Sequence, residues 1–261
     1  SIKSEVKPLL YWFANRLNDY SVLAQTHKNI QSNKITELGY MRPIYLIYMA
    51  EALEKMDETQ GNGPKTQSLL CHEPQDIYIY RSGWDRSDDC YLGVKGGSAS
   101  ANHGHMDAGS FVYEQNGVRW SSDPVTPSYE SMESQGIEIW DVAQGGERWQ
   151  IPNYGNMGHS TISIKDQEHR IFGHASIIQS FDSNDKHGVT LDMSNVLGEY
   201  YVQKALREIY VDEDESLHII DRISNSDKAT DFTWVLHTDA EIDILSPDKI
   251  ILSKQGKVMN I

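Results

Sequence analysis

Beyond residue 60 the chain is written in short β-rich runs separated by Asp, Asn, Ser and Gly, a pattern that predicts an antiparallel sandwich. The runs fall at 77–80, 162–164, 189–191, 209–211, 217–220 and 232–236. The sharpest local signal is a hairpin. Phe111 to Glu114 alternates apolar and polar, Asn116-Gly117 supplies a type I′ turn, and Val118-Arg119-Trp120 returns. The N-terminal part obeys another period. Val6, Leu9, Leu10, Phe13, Leu17, Tyr20 and Leu23 recur at three and four, which predicts a helix over 5–24. A second helix is expected over 40–56 through Ile44, Ile47, Tyr48 and Leu53, with Pro43 tolerable in its first turn. Residues 57–66, with two glycines and a proline, read as a linker. The expected organisation is a helical segment over 1–60 and a mainly β domain of layered antiparallel sheets over 61–261.

Composition narrows the classes. A length of 261 residues allows one large domain or two smaller ones and is enough for a sizeable core. The net charge of −15 and the lack of a basic stripe argue against nucleic acid. No apolar run approaches the roughly eighteen residues of a membrane span. Cys71 and Cys90 have no CxxC neighbour and read as free thiols. Fourteen tyrosines and six tryptophans leave aromatic rings to spare for sugar faces, although most will fill cores. No signal peptide is visible, the first residue is Ser rather than Met, and the run 250–261 stops inside a strand-like pattern; both ends therefore read as truncated.

Chemistry concentrates in Gly96-Gly97-Ser98-Ala99-Ser100-Ala101-Asn102-His103-Gly104-His105-Met106-Asp107-Ala108-Gly109-Ser110-Phe111. His103, His105 and Asp107 alternate, so an extended backbone would point all three to one side. Histidine is both a common metal ligand and the usual proton carrier near neutral pH. The alternative is a polar, glycine-rich surface loop with incidental histidines. Asp123 beyond the hairpin and His159 at the start of the 159–164 run strengthen the chemical reading. Two histidines and a carboxylate from neighbouring strands make a zinc-like set.

Other residues stand out less. Arg81, Trp84 and Asp85 lie at a strand end and could line a cleft, or Arg81 and Asp85 could hold a turn over the tryptophan. His169 and His174, flanking Phe172-Gly173, read as surface histidines of a hairpin, and His237 as a satisfied core or edge histidine. Asp212 to Glu215 reads as a solvated hairpin tip without the spacing of a calcium loop. Tyr129, Trp140 and Trp149 fall in the irregular stretch 124–153, where sugar stacking is the minority reading.

The segments Tyr80-Arg81-Ser82-Gly83-Trp84-Asp85, Tyr91 to Gly97, Asn102-His103-Gly104-His105-Met106-Asp107-Ala108-Gly109-Ser110-Phe111 and Gly117-Val118-Arg119-Trp120-Ser121-Ser122-Asp123 together resemble the core of the heparinase II/III-like polysaccharide lyases. That resemblance covers 77–170 closely and implies an α/α toroid followed by layered antiparallel sheets, with a cleft between them. It implies that His103 helps catalysis with Asn102 beside it; Arg81 and Trp84 are the candidate substrate contacts by their place at the strand end. It also implies a mainly structural zinc on His105, Asp123 and His159. The reaction implied is β-elimination at a uronic acid of an acidic polysaccharide, in the periplasm or after secretion. The family's catalytic tyrosine and carboxylate-binding groups lie on the toroid, more than a hundred residues before the motif. The chain is therefore expected to be a fragment or degenerate member with little activity alone, His103 being its one strong proton-transfer candidate.

Two rival classes stay open. One is a cupin-like metal enzyme, for which Glu114 is the nearest glutamate after His105. The other is a carbohydrate-binding sandwich that does not cleave. Oligomeric state is not legible.

Overall fold

A computed structural model describes residues 8–24, 26, 42–55, 67–84, 88–183, 185–228 and 230–261. The expected linker 57–66 and Asp85 lie outside the described residues. The chain divides into two compact units, Ser1–Gln67 with Gly83–Ser87, and Ser68–Ser82 with Asp88–Ile261.

In the first unit, α1 spans Pro8–Leu17, a single 3-10 turn Ser21–Leu23, and α2 Arg42–Lys55. Tyr11, Ala14, Tyr20, Leu23 and Ala52 form its core. The first helix stops earlier than its apolar period predicts. Asn18 takes a left-handed φ of 53°, and the Asp19 N–H donates to the Ala14 carbonyl at 3.1 Å. That six-to-one bond is a Schellman stop, and it outweighs a periodicity that runs on to Leu23. The Asp19 carboxylate then accepts from Ser21 N and Oγ, starting the next turn.

The second unit is built of strands. β1 (Ser68–Cys71), β2 (Ile77–Arg81), β3 (Tyr91–Lys95), β4 (Ser110–Gln115) and β5 (Val118–Ser121) make one antiparallel sheet in chain order. β7 (Ser176–Ser183), β8 (Lys186–Asp192), β9 (Val202–Asp212) and β10 (Leu217–Asn225) make a second. β6 (Ile162–Ile164) pairs with β11 (Phe232–Trp234), and β12 (Glu241–Ser246), β13 (Lys249–Lys254) and β14 (Lys257–Asn260) form a small three-stranded sheet. The period-two alternation sends Tyr78, Tyr80, Leu92, Val94, Phe111 and Tyr113 of the first sheet into one core with Val189, Leu191, Ala205, Ile209 and Val211 of the second. This is the expected sandwich. The β4–β5 turn is as predicted, with φ of 55° at Asn116 and 72° at Gly117, the pair of left-handed residues a type I′ turn requires. Only Phe232–Trp234 of the 232–236 run pairs as strand.

The two large sheets grip both ends of the 96–109 segment. Gly97 and Ala175 exchange backbone hydrogen bonds at 2.8 and 2.9 Å. A Cβ at Gly96 would stand 2.4 Å from the Ala175 carbonyl, so this approach needs glycine. At the other end the buried Arg207 on β9 donates to the Gly109 carbonyl at 3.0 Å and forks onto Asp221 at 2.7 and 2.8 Å. Cys71 and Cys90 are both free. Among the described residues no helix is long and apolar enough to cross a membrane.

One expectation for a surface residue is overturned. His169 is fully buried, with Nε2 2.9 Å from the Ile162 carbonyl, because the chain after β6 folds back beneath that strand instead of forming an exposed hairpin. His174 is partly exposed and meets Asp76, which His72 contacts from the other side.

Candidate active site

Between its two anchors the motif segment is not a strand. Residues 99–109 run as turns, and His103 adopts a left-handed φ of 57°. Gly104 N–H donates to Ala101 O at 2.8 Å, and a Cβ at Gly104 would lie 2.5 Å from Ala99 O. The expected one-sided display of His103, His105 and Asp107 is therefore overturned: a folded-back chain sends the three to different partners. A non-glycine residue held left-handed carries strain of about 1–3 kcal/mol and concentrates at functional sites.

His103 is exposed, beside the exposed Asn102, on a pocket of about 340 Å³ bounded by Trp140 and Phe172. Its Nδ1 lies 2.8 Å from the Tyr129 hydroxyl, and the two rings stack at 5.9 Å and 14°. Tyr129 opens α3 (Tyr129–Glu133), whose cap is Ser128 Oγ accepting from Ser131 N. Trp140 stands edge-on to Tyr129 at 5.2 Å and to His103 at 6.2 Å. The pairing of Tyr129 with His103 was not legible in sequence. The tyrosine was visible only as one aromatic in an irregular stretch. Trp149 lines the same pocket from a buried position, its indole N–H donating to Ala143 O.

Arg148, on α4 (Glu147–Gln150), ties this wall to the motif. Its buried guanidinium donates to Ile139 O at 3.1 Å and to Gly104 O at 3.0 Å, and lies 4.1 Å from the Tyr154 ring centre. A buried cation resting on carbonyls and a π face is satisfied without a carboxylate.

His105 turns away from the pocket. It meets Tyr154 edge-on at 4.6 Å, and its ring centre is 5.5 Å from that of His159. Burial holds the His105 imidazole below its ordinary pKa, which favours the neutral ring. His159 is fully buried, its Nδ1 2.7 Å from Asp123 Oδ1. Burial pushes the Asp123 carboxyl up, but the hydrogen bond and charge of His159 outweigh it and the net effect is downward. The other nitrogen, His159 Nε2, is buried with no hydrogen-bond partner. Asp107 is held apart by Lys95 at 2.6 Å.

These residues fit a divalent metal in their chemistry. The His105 imidazole favours its neutral form and the Asp123 carboxyl its ionised form, as ligation requires, and His159 Nε2 is buried without a hydrogen-bond partner. Among the described residues no three such side chains are already gathered as a metal cage. His105, Asp123 and His159 stand instead as a hydrogen-bonded pair with a neighbour.

Arg81 lies elsewhere. Its guanidinium sits 5.1 Å over the Tyr91 ring in a hollow of about 500 Å³ on the outer face of the first sheet, shared with Lys95, Arg119 and Asp123. The pocket at His103 does not include it. Trp84 falls in the other compact unit. Glu114, the glutamate a cupin site would use, is bonded to Arg119 Nε at 2.5 Å. His237 is held through its backbone, but its Nδ1 is buried without a partner, so that side chain is not fully satisfied.

Residues 77–259 match the sequence profile of the heparinase II/III-like C-terminal domain. No curated protein matches the chain. Among solved structures, the fold resembles the heparan sulfate lyase HepC from Pedobacter heparinus, with 17% identity, TM-score 0.55, and coverage of 80% of this chain and 30% of that one. A heparinase III structure resembles it with 13% identity, TM-score 0.56, and coverage of 85% and 34%. The chain thus spans about a third of the length of the solved structures it matches.

Proposed function

Because the chain belongs to the heparinase II/III-like family through its C-terminal domain, we propose that it serves β-elimination of an acidic, uronate-containing polysaccharide, with His103 and Tyr129 as the proton-transfer pair. The single observation that carries this is the 2.8 Å contact between His103 Nδ1 and the Tyr129 hydroxyl, on a pocket rim that also presents Asn102. Elimination takes the C5 proton of the uronate, forms the C4–C5 double bond and breaks the C4–O4 bond. The departing oxygen then needs a proton. One group must act as base and one as acid, and a positioned pair contributes about 10²–10⁴-fold. His103 Nε2, the ring nitrogen Tyr129 does not engage, is the one free to meet substrate. The Asn102 amide can donate to the uronate carboxylate and so make the C5 proton easier to remove. This amends the expectation of a lone histidine.

The test is ultraviolet absorbance of unsaturated uronate product, with heparan sulfate, chondroitin sulfate, hyaluronan and alginate offered separately. The 261-residue chain alone is expected to release little product; product formed by a longer chain that carries this domain should disappear in His103→Ala and fall in Tyr129→Phe. Absence of product from all four in a longer chain that carries this domain would refute the catalytic reading. A second reading, glycan binding without cleavage, is favoured by the local cations. Lys95 is paired with Asp107 and Arg148 rests on two carbonyls, so neither is free to neutralise a uronate. Binding without product would select it.

We also propose a structural zinc on His105, Asp123 and His159. The buried His159 Nε2 without a hydrogen-bond partner and the suppressed protonation of His105 support it. A bound zinc would cross-link the motif turn to the segments carrying Asp123 and His159. Membership of the family supports periplasmic or extracellular work, and we propose that location.

A further inference from the structure

Phe172 is 89% exposed, yet the backbone on both sides of it is hydrogen-bonded. The Ile171 carbonyl accepts from Ser100 N and Ser98 Oγ of the motif segment, and Ile171 N donates to Gln144 Oε1. Gly173 N closes a turn on Arg170 O at 2.9 Å, and a Cβ at Gly173 would lie 2.5 Å from Asn195 O. The ring is thus mounted at a fixed tip over the pocket that carries Asn102 and His103. Across that pocket Trp140 is 52% exposed and equally fixed, its indole N–H donating to Glu133 Oε1 at 2.8 Å and its edge set against Tyr129. Two rigid aromatics with open faces need little ordering when a ligand arrives, which is how pre-organised sites gain affinity.

We propose that Trp140 and Phe172 form a stacking subsite for one pyranose ring of a glycan whose neighbouring residue lies at His103. Sugar rings have an apolar C–H face suited to an aromatic plane, and polar edges suited to Asn102 and Ser100, which also line the pocket. Because the subsite shares a pocket with His103, the proposal rests on the glycan reading above. It adds that recognition extends one sugar beyond the reacting residue and depends on stacking more than on charge.

Calorimetric titration of the full chain with di- and hexasaccharides of heparan sulfate, chondroitin sulfate, hyaluronan and alginate tests this. Phe172→Ala and Trp140→Ala should each weaken the preferred hexasaccharide about tenfold, as loss of a central aromatic contact does, and weaken in the same direction the disaccharide, whose two sugars would span His103 and the subsite. Phe172→Tyr should restore affinity, and the melting temperature of Phe172→Ala should stay at the wild-type value. Hexasaccharide affinity unchanged within about twofold in both alanine variants would overturn the subsite while leaving the glycan reading in place. No binding of any of the four glycans would overturn both.

Discussion

His103 and Tyr129, 26 positions apart in the chain, meet at 2.8 Å through imidazole Nδ1 and phenol oxygen. The left-handed turn at His103 and the Ser128-capped start of α3 bring them there. Tyr129→Phe removes the hydroxyl that meets His103 and keeps the half-buried ring on its cluster. We expect lyase turnover to fall by about ten- to a hundredfold with melting unchanged. His103→Ala should cost more turnover and leave zinc content intact. Zinc loss in His103→Ala, measured by elemental analysis, would mean that the roles of His103 and His105 are exchanged.

His159→Ala deletes a fully buried ring and strips Asp123 of its partner. Both zinc content and melting temperature should drop, and chelation of the wild type should lower melting in the same direction. Full zinc occupancy in His159→Ala would remove that residue from the ligand set.

His169 makes stability depend on pH. Its Nε2 faces the Ile162 carbonyl, its Nδ1 is buried without a partner, and burial pushes its pKa down to about 4. The unfolded chain, with an ordinary histidine value of about 6.5, binds this proton first. The neutral ring's contribution is therefore complete above about pH 6.5 and is lost progressively as pH falls towards 4, up to about 3 kcal/mol. Urea unfolding from pH 7.5 to 4 should show this loss, and His169→Asn should flatten it. An equal slope in the variant would assign the loss to other groups.

Arg207→Met leaves Asp221 and the Gly109 carbonyl without their donor. Breaking one side of a buried pair costs about 3–5 kcal/mol. Urea unfolding should register it, and the variant should also bind zinc more weakly, since Gly109 ends the motif segment. A loss below about 1 kcal/mol would show that water replaces the guanidinium.

What the sequence determined by itself was local or periodic. Asn116-Gly117 dictates its turn because both residues tolerate positive φ. The period-two runs specify which side chains enter the sandwich core, and the motif from Asn102 to Phe111 with Asp123 identifies the family. Helix α1 shows the limit of that reading. Its apolar period passes Leu17, but Asn18 ends the helix, because a stop is a backbone event that hydrophobic spacing does not record. Only the tertiary structure decided that His103, His105 and Asp107 diverge, that Tyr129 rather than Asp107 partners the exposed histidine, and that His169 is core while Phe172, three residues on, is surface. Each of these depends on segments far apart in the chain being pressed together. Gly97 on Ala175, Arg148 on Gly104 and Arg207 on Gly109 are such contacts, and no spacing rule along one strand or turn encodes them.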